Sequence, residues 1–142
     1  MEVAIAEEVA GEMENLLLPL PPRPYSSRDL RSTWQTRFAE EGWAMNYSIG
    51  STNLTIPYFK NQVGVCIQLG NVCRVYADLI KLRSLFLKDK ISCGVIAVPS
   101  MQFSKELGSN HADYARLDRD LEVLYKAIEL PLLVLAVDGN RG

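Results

Sequence analysis

The alternation of apolar runs with amphipathic stretches most constrains what this chain can fold into. Val63 to Leu69 and Ile91 to Val98 are almost continuously apolar, and another apolar run follows Pro131. Such runs are typical of strands that are buried on both faces of a sheet. Residues 72–87 and 112–128 separate these runs and repeat apolar side chains at helical spacing. Because a helix between two strands forms a crossover connection, the pattern predicts a partly parallel sheet.

The N-terminal part of the chain has two further helical patterns with a proline-rich connector between them. Residues 2–18 place apolar side chains on one helical face, and residues 28–41 do the same. Ser27 is a suitable N-cap for the second helix. Four prolines between residues 19 and 24 cannot continue a helix, so we interpret this stretch as an extended spacer between packed elements.

Two β-prone segments precede the first long apolar run. Residues 43–49 and 53–59 are rich in aromatic and β-branched residues, and Gly50 lies in a turn between them. Short connections of this kind favour an antiparallel meander. We therefore predict one domain over residues 1–142, an α/β fold in which a mixed central sheet lies within a three-layer α/β/α sandwich. The N-terminal helix and the connector occupy residues 1–27 of this domain.

Composition excludes several classes of protein. The chain has 142 residues, 15 Lys and Arg against 17 Asp and Glu, and 48% hydrophobic residues. This apolar content is too high, and a net charge of −2 too small, for a disordered chain. The same charge excludes a strongly basic nucleic-acid binder, although it leaves room for a local basic patch.

The cysteines and the N-terminus indicate a cytoplasmic protein. Cys66, Cys73 and Cys93 are odd in number, widely spaced and without a CxxC pair, so they predict neither a disulfide framework nor a zinc site. The first residues are acidic rather than basic, which is not typical of a signal peptide. No apolar run approaches the roughly 20 residues that a membrane-spanning helix needs.

The hairpin over residues 56–71 carries the most specific signal. It consists of a strand, the polar turn Lys60-Asn61-Gln62, a second strand that includes Gln68, and Gly70-Asn71 before a helix. This pattern resembles the catalytic hairpin of the PD-(D/E)xK nuclease superfamily, and most closely restriction endonucleases of the BglII type. The resemblance extends over roughly residues 30–138. It implies a restriction-endonuclease-like fold and an assembly as a homodimer.

The resemblance also implies where metal-binding residues should lie. Members of the family hold Mg²⁺ with carboxylates on both strands, since this hard cation prefers oxygen ligands. Gln68 matches the last motif position, where the resemblance allows Gln. Cys66 falls on the carboxylate position of the second strand, and Pro57 falls on the aspartate position of the first. The motif is therefore degenerate, and we expect neither a bound metal nor another cofactor.

Few acidic residues could replace the missing carboxylates. No Asp or Glu lies between Glu41 and Asp78. Glu40 and Glu41, at the end of the second predicted helix, are candidates to reach the hairpin and complete a rearranged Mg²⁺ site. Asp78 lies near the start of the next helix, where it could stabilise the helix terminus or pair with Arg74 or Lys81.

Other polar residues offer weaker signals. The resemblance places the hairpin and its flanking loops against DNA, which makes Arg28, Arg31 and Lys60 candidates for phosphate contacts. The alternative is that these side chains belong to a solvated surface. Asn110 is a candidate helix cap, and the single histidine, His111, is interpreted as a capping or surface residue rather than a general base.

Three functions follow from these observations. The first is a degenerate nuclease, a pseudo-nuclease that keeps a role in DNA binding or protein assembly, with double-stranded DNA, a second copy or a partner protein as its partner. The second is an active Mg²⁺-dependent endonuclease with a rearranged site formed by Glu40, Glu41, Gln68 and Asp78. The third is an interaction protein that does not bind nucleic acid.

Overall fold

A computed structural model describes residues 3–108 and 113–139. Each predicted helix and strand is present, and a further short helix lies directly after the second apolar run. In chain order the elements are α1 Val3–Leu17, α2 Ser27–Glu40, β1 Ala44–Ser48, β2 Thr55–Lys60, β3 Val63–Ile67, α3 Val72–Leu87, β4 Cys93–Pro99, α4 Met101–Leu107, α5 Tyr114–Ile128 and β5 Leu132–Val137.

The five strands form one mixed sheet in the order β1-β2-β3-β4-β5. β1, β2 and β3 pair antiparallel, as the short connections between them favour. β3, β4 and β5 pair parallel, because α3 and α5 lie in the connections between them. The predicted mixed sheet is therefore confirmed.

Helices cover both faces of this sheet. Side chains from α1, α2 and α4 pack on the face that contains Val65, Val95 and Ala97. Side chains from α3 and α5 pack on the opposite face, which contains Ile96 and Val98. All seven residues of β4 are buried, as expected for a central strand between two helical layers. This arrangement is the predicted three-layer α/β/α sandwich.

The end of α1 and the first proline of the connector are held against α2 by hydrogen bonds to their backbone carbonyls. The indole Nε1 of Trp34 donates to the carbonyl of Leu17 at 3.1 Å. The guanidinium of Arg37 donates to the carbonyls of Leu16 at 3.3 Å and Pro19 at 2.6 Å. These bonds satisfy carbonyls that the end of α1 leaves without a helical partner. The start of the connector is thereby held close to α2.

Two predicted helix starts differ from those in the structure. Ser26, rather than Ser27, is the N-cap of α2, because its extended backbone lets its side chain accept the N–H of Asp29 at 3.0 Å. α5 begins at Tyr114 and is capped by Asp113. The predictions for Asn110 and His111 lie outside the described residues.

Close packing of α3 on the sheet depends on a glycine inside the first apolar run. A Cβ atom at Gly64 would lie 2.9 Å from Cδ1 of Ile56 and 3.0 Å from Cδ2 of Leu82. The first distance is shorter than real Cβ atoms show, and the second is tighter than nearly all real contacts. Gly64 therefore lets β2 and α3 meet over β3.

The helices in the described part of the chain are either too short or too polar to cross a bilayer.

Candidate functional site

The hairpin formed by β2 and β3 is tightly paired at its turn and separates toward its open end. In the described register, residues 58–60 of β2 pair with residues 63–65 of β3. Pro57 is the next residue of β2, and it has no N–H to donate to a neighbouring strand. The separation of β2 from β3 therefore begins at Pro57.

A reversal of the strand faces occurs at the same level of the sheet. Met45 and Tyr58 form one cross-strand pair and pack on the α2 side. Tyr47 and Ile56 form the pair two residues further along, but they pack on the α3 side. Residues two apart in a regular strand share a face. Asn46, between them, has a φ of 50°, in the left-handed region, which lets the strand reverse its faces.

A cleft of about 240 Å³ opens where β2 and β3 separate. Residues from α2, β1, β2, α3 and the end of β3 line it: Arg31, Asn46, Thr55, Pro57, Ile67, Gln68, Arg74, Asp78 and Lys81. Helices from both layers of the sandwich thus reach the same cleft. It contains two residues of the predicted motif, Pro57 and Gln68, together with Arg31.

Gln68 is fixed at the floor of this cleft. It follows β3 directly and is only 8% exposed. Its side-chain Oε1 accepts the N–H of Gly70 at 2.9 Å, and its Nε2 donates to a carboxylate oxygen of Asp78 at 3.4 Å. Its backbone N–H donates to the carbonyl of Ala97 at 2.9 Å. Both ends of the amide therefore have partners, which holds its orientation.

Asp78 forms its described hydrogen bond with Gln68, a residue that the rearranged-site alternative grouped with it. The interpretation of Asp78 as a helix-stabilising residue beside Arg74 and Lys81 did not include this contact. Burial raises the pKa of its carboxyl group, while the hydrogen bond from Gln68 and the positive charges of Lys81 and Arg74 oppose this increase. The only sequence signal is indirect, since Gln68 precedes a helix whose first turns must pass the end of β3.

The charges of the cleft are unbalanced. Arg31, Arg74 and Lys81 contribute three positive charges, and Asp78 contributes the only carboxylate among the described lining residues. The cleft thus has an excess of two positive charges in a chain whose net charge is −2. Its electrostatic character favours an anion.

Cys66 lies behind the cleft rather than in it. Its side chain is fully buried in an apolar cluster that includes Ile56 and Leu82. Burial raises the pKa of its thiol, and the charge of Asp78 raises it further, while that of Lys81 lowers it. Cys66 is therefore a neutral thiol that packs as a small apolar residue.

Glu40 and Glu41 are not brought to the cleft. Both are exposed at the C-terminal end of α2, whereas Arg31 reaches the cleft from the first half of that helix. At 1.5 Å per residue, Glu40 lies roughly 13 Å further along the helix axis than Arg31. The backbone carbonyl of Glu41 accepts a hydrogen bond from Nζ of Lys60 at 2.6 Å.

The residues predicted to contact DNA do not all lie together in the structure. Arg31 lines the cleft, and Arg28 is exposed in the first turn of the same helix. The ammonium group of Lys60 lies near the hairpin turn, at the opposite end of the hairpin from the cleft. Arg31 therefore lies in the cleft and Arg28 about one turn before it on α2, whereas Lys60 joins the hairpin turn to the end of α2.

The residues of the cleft do not fit Mg²⁺. Six oxygen ligands are usual for this ion, and protein sites commonly supply one or two carboxylates. Asp78 is a single carboxylate that lies among cationic side chains, and the amide oxygen of Gln68 already accepts the N–H of Gly70. Within residues 3–108 and 113–139, no three His, Cys, Asp or Glu side chains converge into a possible metal site.

A larger cavity, of about 700 Å³, lies between α1 and the end of β5. It is lined mainly by apolar residues, and the acidic residues beside them are Glu14 and Asp138. Every site residue predicted from the hairpin lies elsewhere. Its size alone therefore does not make it the functional site.

Comparisons with known proteins agree with the family that the hairpin resembles. The sequence model of a family described as restriction endonuclease BglII/BglIII matches residues 4–137. The crystal structure of restriction endonuclease BglII complexed with a DNA 16-mer is similar to this chain, with a TM-score of 0.79 and 15% sequence identity. That match covers 95% of this chain and 73% of the other.

The crystal structure of free BglII is also similar, with a TM-score of 0.68 and 15% identity over 96% of this chain and 72% of the other. At this level of identity, the two likenesses establish the fold alone. No curated protein matches the chain.

Proposed function

This chain belongs to the BglII/BglIII family of restriction endonucleases, and we propose that it is a degenerate member that binds double-stranded DNA without hydrolysing it. The observation that carries the proposal is the charge of the cleft beside Gln68, where three cationic side chains surround one carboxylate. Pro57 and Cys66 stand where the family motif needs acidic residues.

The proposed inability to hydrolyse DNA follows from the chemistry of phosphodiesters. A hydrolytic site of this family needs a divalent cation, which neutralises charge on the phosphate and activates water. Pro57 has no side-chain ligand, and Cys66 is a buried neutral thiol. The alternative of a rearranged metal site also needs Glu40 and Glu41 near Asp78, and these residues lie at different places in the fold.

Two observations support the retained binding. Arg28 and Arg31 lie on the same end of α2, and Arg74 and Lys81 approach from α3, so a local basic surface exists in an acidic chain. A similar solved structure was obtained in complex with a DNA 16-mer. Phosphate contacts of this kind are independent of base sequence and depend strongly on salt.

The test combines a gel shift with plasmid cleavage. Purified protein should retard duplex DNA, with an affinity that falls steeply as salt is raised, and should leave supercoiled plasmid intact in Mg²⁺ or Mn²⁺. Arg28→Gln should weaken retention, whereas Arg119→Gln, on the exposed side of α5, should not. Absence of retention would favour an interaction protein. Plasmid cleavage that the Glu40→Gln, Glu41→Gln double variant abolishes would favour the rearranged nuclease.

We further propose that the protein is a homodimer, as the family resemblance implies. Large apolar side chains that remain exposed on the described surface of α3 and α5 support an association: Ile80 at 66%, Leu87 at 63% and Val123 at 82%. Light scattering coupled to size-exclusion chromatography should give twice the mass of the 15.9 kDa chain. A monomer at all accessible concentrations would refute the dimer while leaving DNA binding intact.

We also propose that the protein resides in the cytoplasm. Cys66, Cys73 and Cys93 are all free thiols, and Cys73 is exposed, a state that a reducing compartment preserves. Fractionation of cells that produce the tagged chain should recover it with cytoplasmic markers. Recovery from an exported fraction would contradict this placement.

A further inference from the structure

We propose that the cleft is a direct phosphate-binding site, in which Arg31, Arg74 and Lys81 hold a phosphate group of the DNA backbone without a divalent metal. The inference rests on the proposed function for DNA as the source of the phosphate. It goes beyond that function because it replaces a metal-mediated contact with direct contacts from named side chains.

The three cations approach the cleft from opposite faces of the sheet. α2 packs on the face of Val65, and α3 packs on the face of Cys66. Arg31 of α2 nevertheless lines the same cavity as Arg74 and Lys81 of α3. This is possible because β2 separates from β3 at Pro57, which leaves a gap through which both helical layers reach one space.

No hydrogen bond or close ion pair competes for these cations within the described part of the chain, although Asp78 attracts Arg74 and Lys81 at longer range. Among those residues, no hydrogen bond or ion pair engages the side chains of Arg31, Arg74 or Lys81. Arg37 and Lys60, by contrast, donate to backbone carbonyls elsewhere in the fold. The side chains that line the cleft therefore remain available to an anion.

Asp78 is placed between the two cations of α3. Arg74, Asp78 and Lys81 are four and three residues apart, so they share one face of the helix. Gln68 donates to the carboxylate, which draws it toward the floor of the cleft. Asp78 therefore separates two like charges on one face of α3.

The cavity has room for a hydrated phosphate group. Its volume of about 240 Å³ is equivalent to roughly eight water molecules at about 30 Å³ each. Arginine offers paired N–H donors that match phosphate oxygens, and lysine adds a compact positive charge. The set of donors in the cleft is thus the one that phosphate binding uses.

The main test measures two ligands with the full chain in EDTA. Inorganic phosphate is followed by NMR, and a fluorescent 16-base-pair duplex is followed by anisotropy. Arg74→Gln and Lys81→Met should each weaken duplex binding by about tenfold or more and reduce the salt slope by about 1. They should also remove the phosphate-induced shifts of residues 67–70. Arg119→Gln and Lys126→Met, two exposed positions of α5, are the matched controls.

Asp78→Asn tests the proposal by the direction in which it changes the affinity for duplex DNA. Loss of one negative charge should strengthen duplex binding in EDTA by roughly threefold or more, whereas the control Asp118→Asn should have no effect. A site that bound DNA through a metal held by Asp78 would instead bind the duplex only in Mg²⁺, and there Asp78→Asn would weaken binding. Weaker binding by Asp78→Asn, with an unchanged circular dichroism spectrum, would overturn the proposal.

The remaining outcomes separate this inference from the proposed function. If the duplex binds in EDTA but Arg74→Gln and Lys81→Met bind it as the natural chain does, DNA binding stands and the cleft site is refuted. If the duplex does not bind at all, both the proposed function and DNA as the source of the phosphate are refuted.

Discussion

The two halves of the sheet differ in how regular their strands are. In the parallel half, β3, β4 and β5 keep an unbroken register, and β4 is buried along its whole length. In the antiparallel half, β1 and β2 reverse their faces near Asn46, and β2 separates from β3 at Pro57. The regular half contains the strand that is buried throughout, and the irregular half lines the charged cleft. A departure from regular strand geometry thus creates the space in which a ligand can bind.

The largest effect on stability is expected at Cys66, a motif position in β3, the strand that the two halves of the sheet share. Cys66→Glu places a carboxylate in an apolar cluster, and a pKa increase of about three units corresponds to a cost of roughly 4 kcal/mol. Urea denaturation should record this loss at neutral pH. Addition of Pro57→Asp should create a site whose Mn²⁺ binding, measured by calorimetry, recovers part of the stability. Absence of Mn²⁺ binding in a folded double variant would mean that the motif positions are misassigned.

A substitution that creates a large cavity in the parallel half should lower the stability of the fold nearly as much. Ile96 is fully buried between β4 and the α3 and α5 layer, so Ile96→Ala should lower the free energy of unfolding by about 3 kcal/mol. Thr55→Ala, which alters a half-buried lining residue of the cleft, should cost less than about 0.5 kcal/mol. Equal losses for the two variants would remove the distinction between the halves.

Substitution of Gly64 should cause an intermediate loss of stability. Gly64→Ala introduces a methyl group 2.9 Å from Cδ1 of Ile56, and overpacking of this kind costs about 2 kcal/mol. Ile56→Val deletes that Cδ1 atom, so the double variant should lose less stability than the two single changes predict in sum. Additive losses in a double-mutant cycle would show that the strain lies elsewhere, for example at Leu82.

The smallest effect concerns the charge of Asp78. Because burial raises the pKa of this carboxyl group in the folded state, ionisation opposes folding. The penalty is absent below the ordinary pKa near 3.8, grows as pH rises toward the raised folded pKa, and is complete above it. Asp78→Asn should therefore stabilise the protein slightly at pH 7, by less than about 1 kcal/mol, and not at pH 3. A variant that is less stable at pH 7 would contradict this sign.

The elements and their order could be predicted from the sequence because they depend on local periodicity. The apolar runs around Val65 and Ile96, with an amphipathic helix between them, already require parallel strands. The family could be predicted because its hairpin is continuous in sequence. Cap positions were less accurate, since Ser26 and Ser27 are chemically equivalent and only the backbone conformation decides between them.

The cleft could not be predicted in the same way. Asn46 has no sequence signature that separates a face reversal from an ordinary strand residue, and Pro57 indicates only a lost donor. The approach of Arg31 toward Arg74 and Lys81 depends on both helical layers at once. Glu40 and Glu41 were candidates because of their charge, whereas their place in the fold depends on the direction and length of α2.

The most direct measurement of the central claim is the affinity for a 16-base-pair duplex as EDTA is replaced by Mg²⁺ at constant ionic strength. Direct contacts from Arg31, Arg74 and Lys81 predict that Mg²⁺ leaves the affinity unchanged or lowers it slightly, since the cation competes for the phosphates. An affinity that rises about tenfold or more on addition of Mg²⁺ would mean that a metal joins the protein to DNA. That result would contradict the account of a nuclease fold that binds DNA with its own cations.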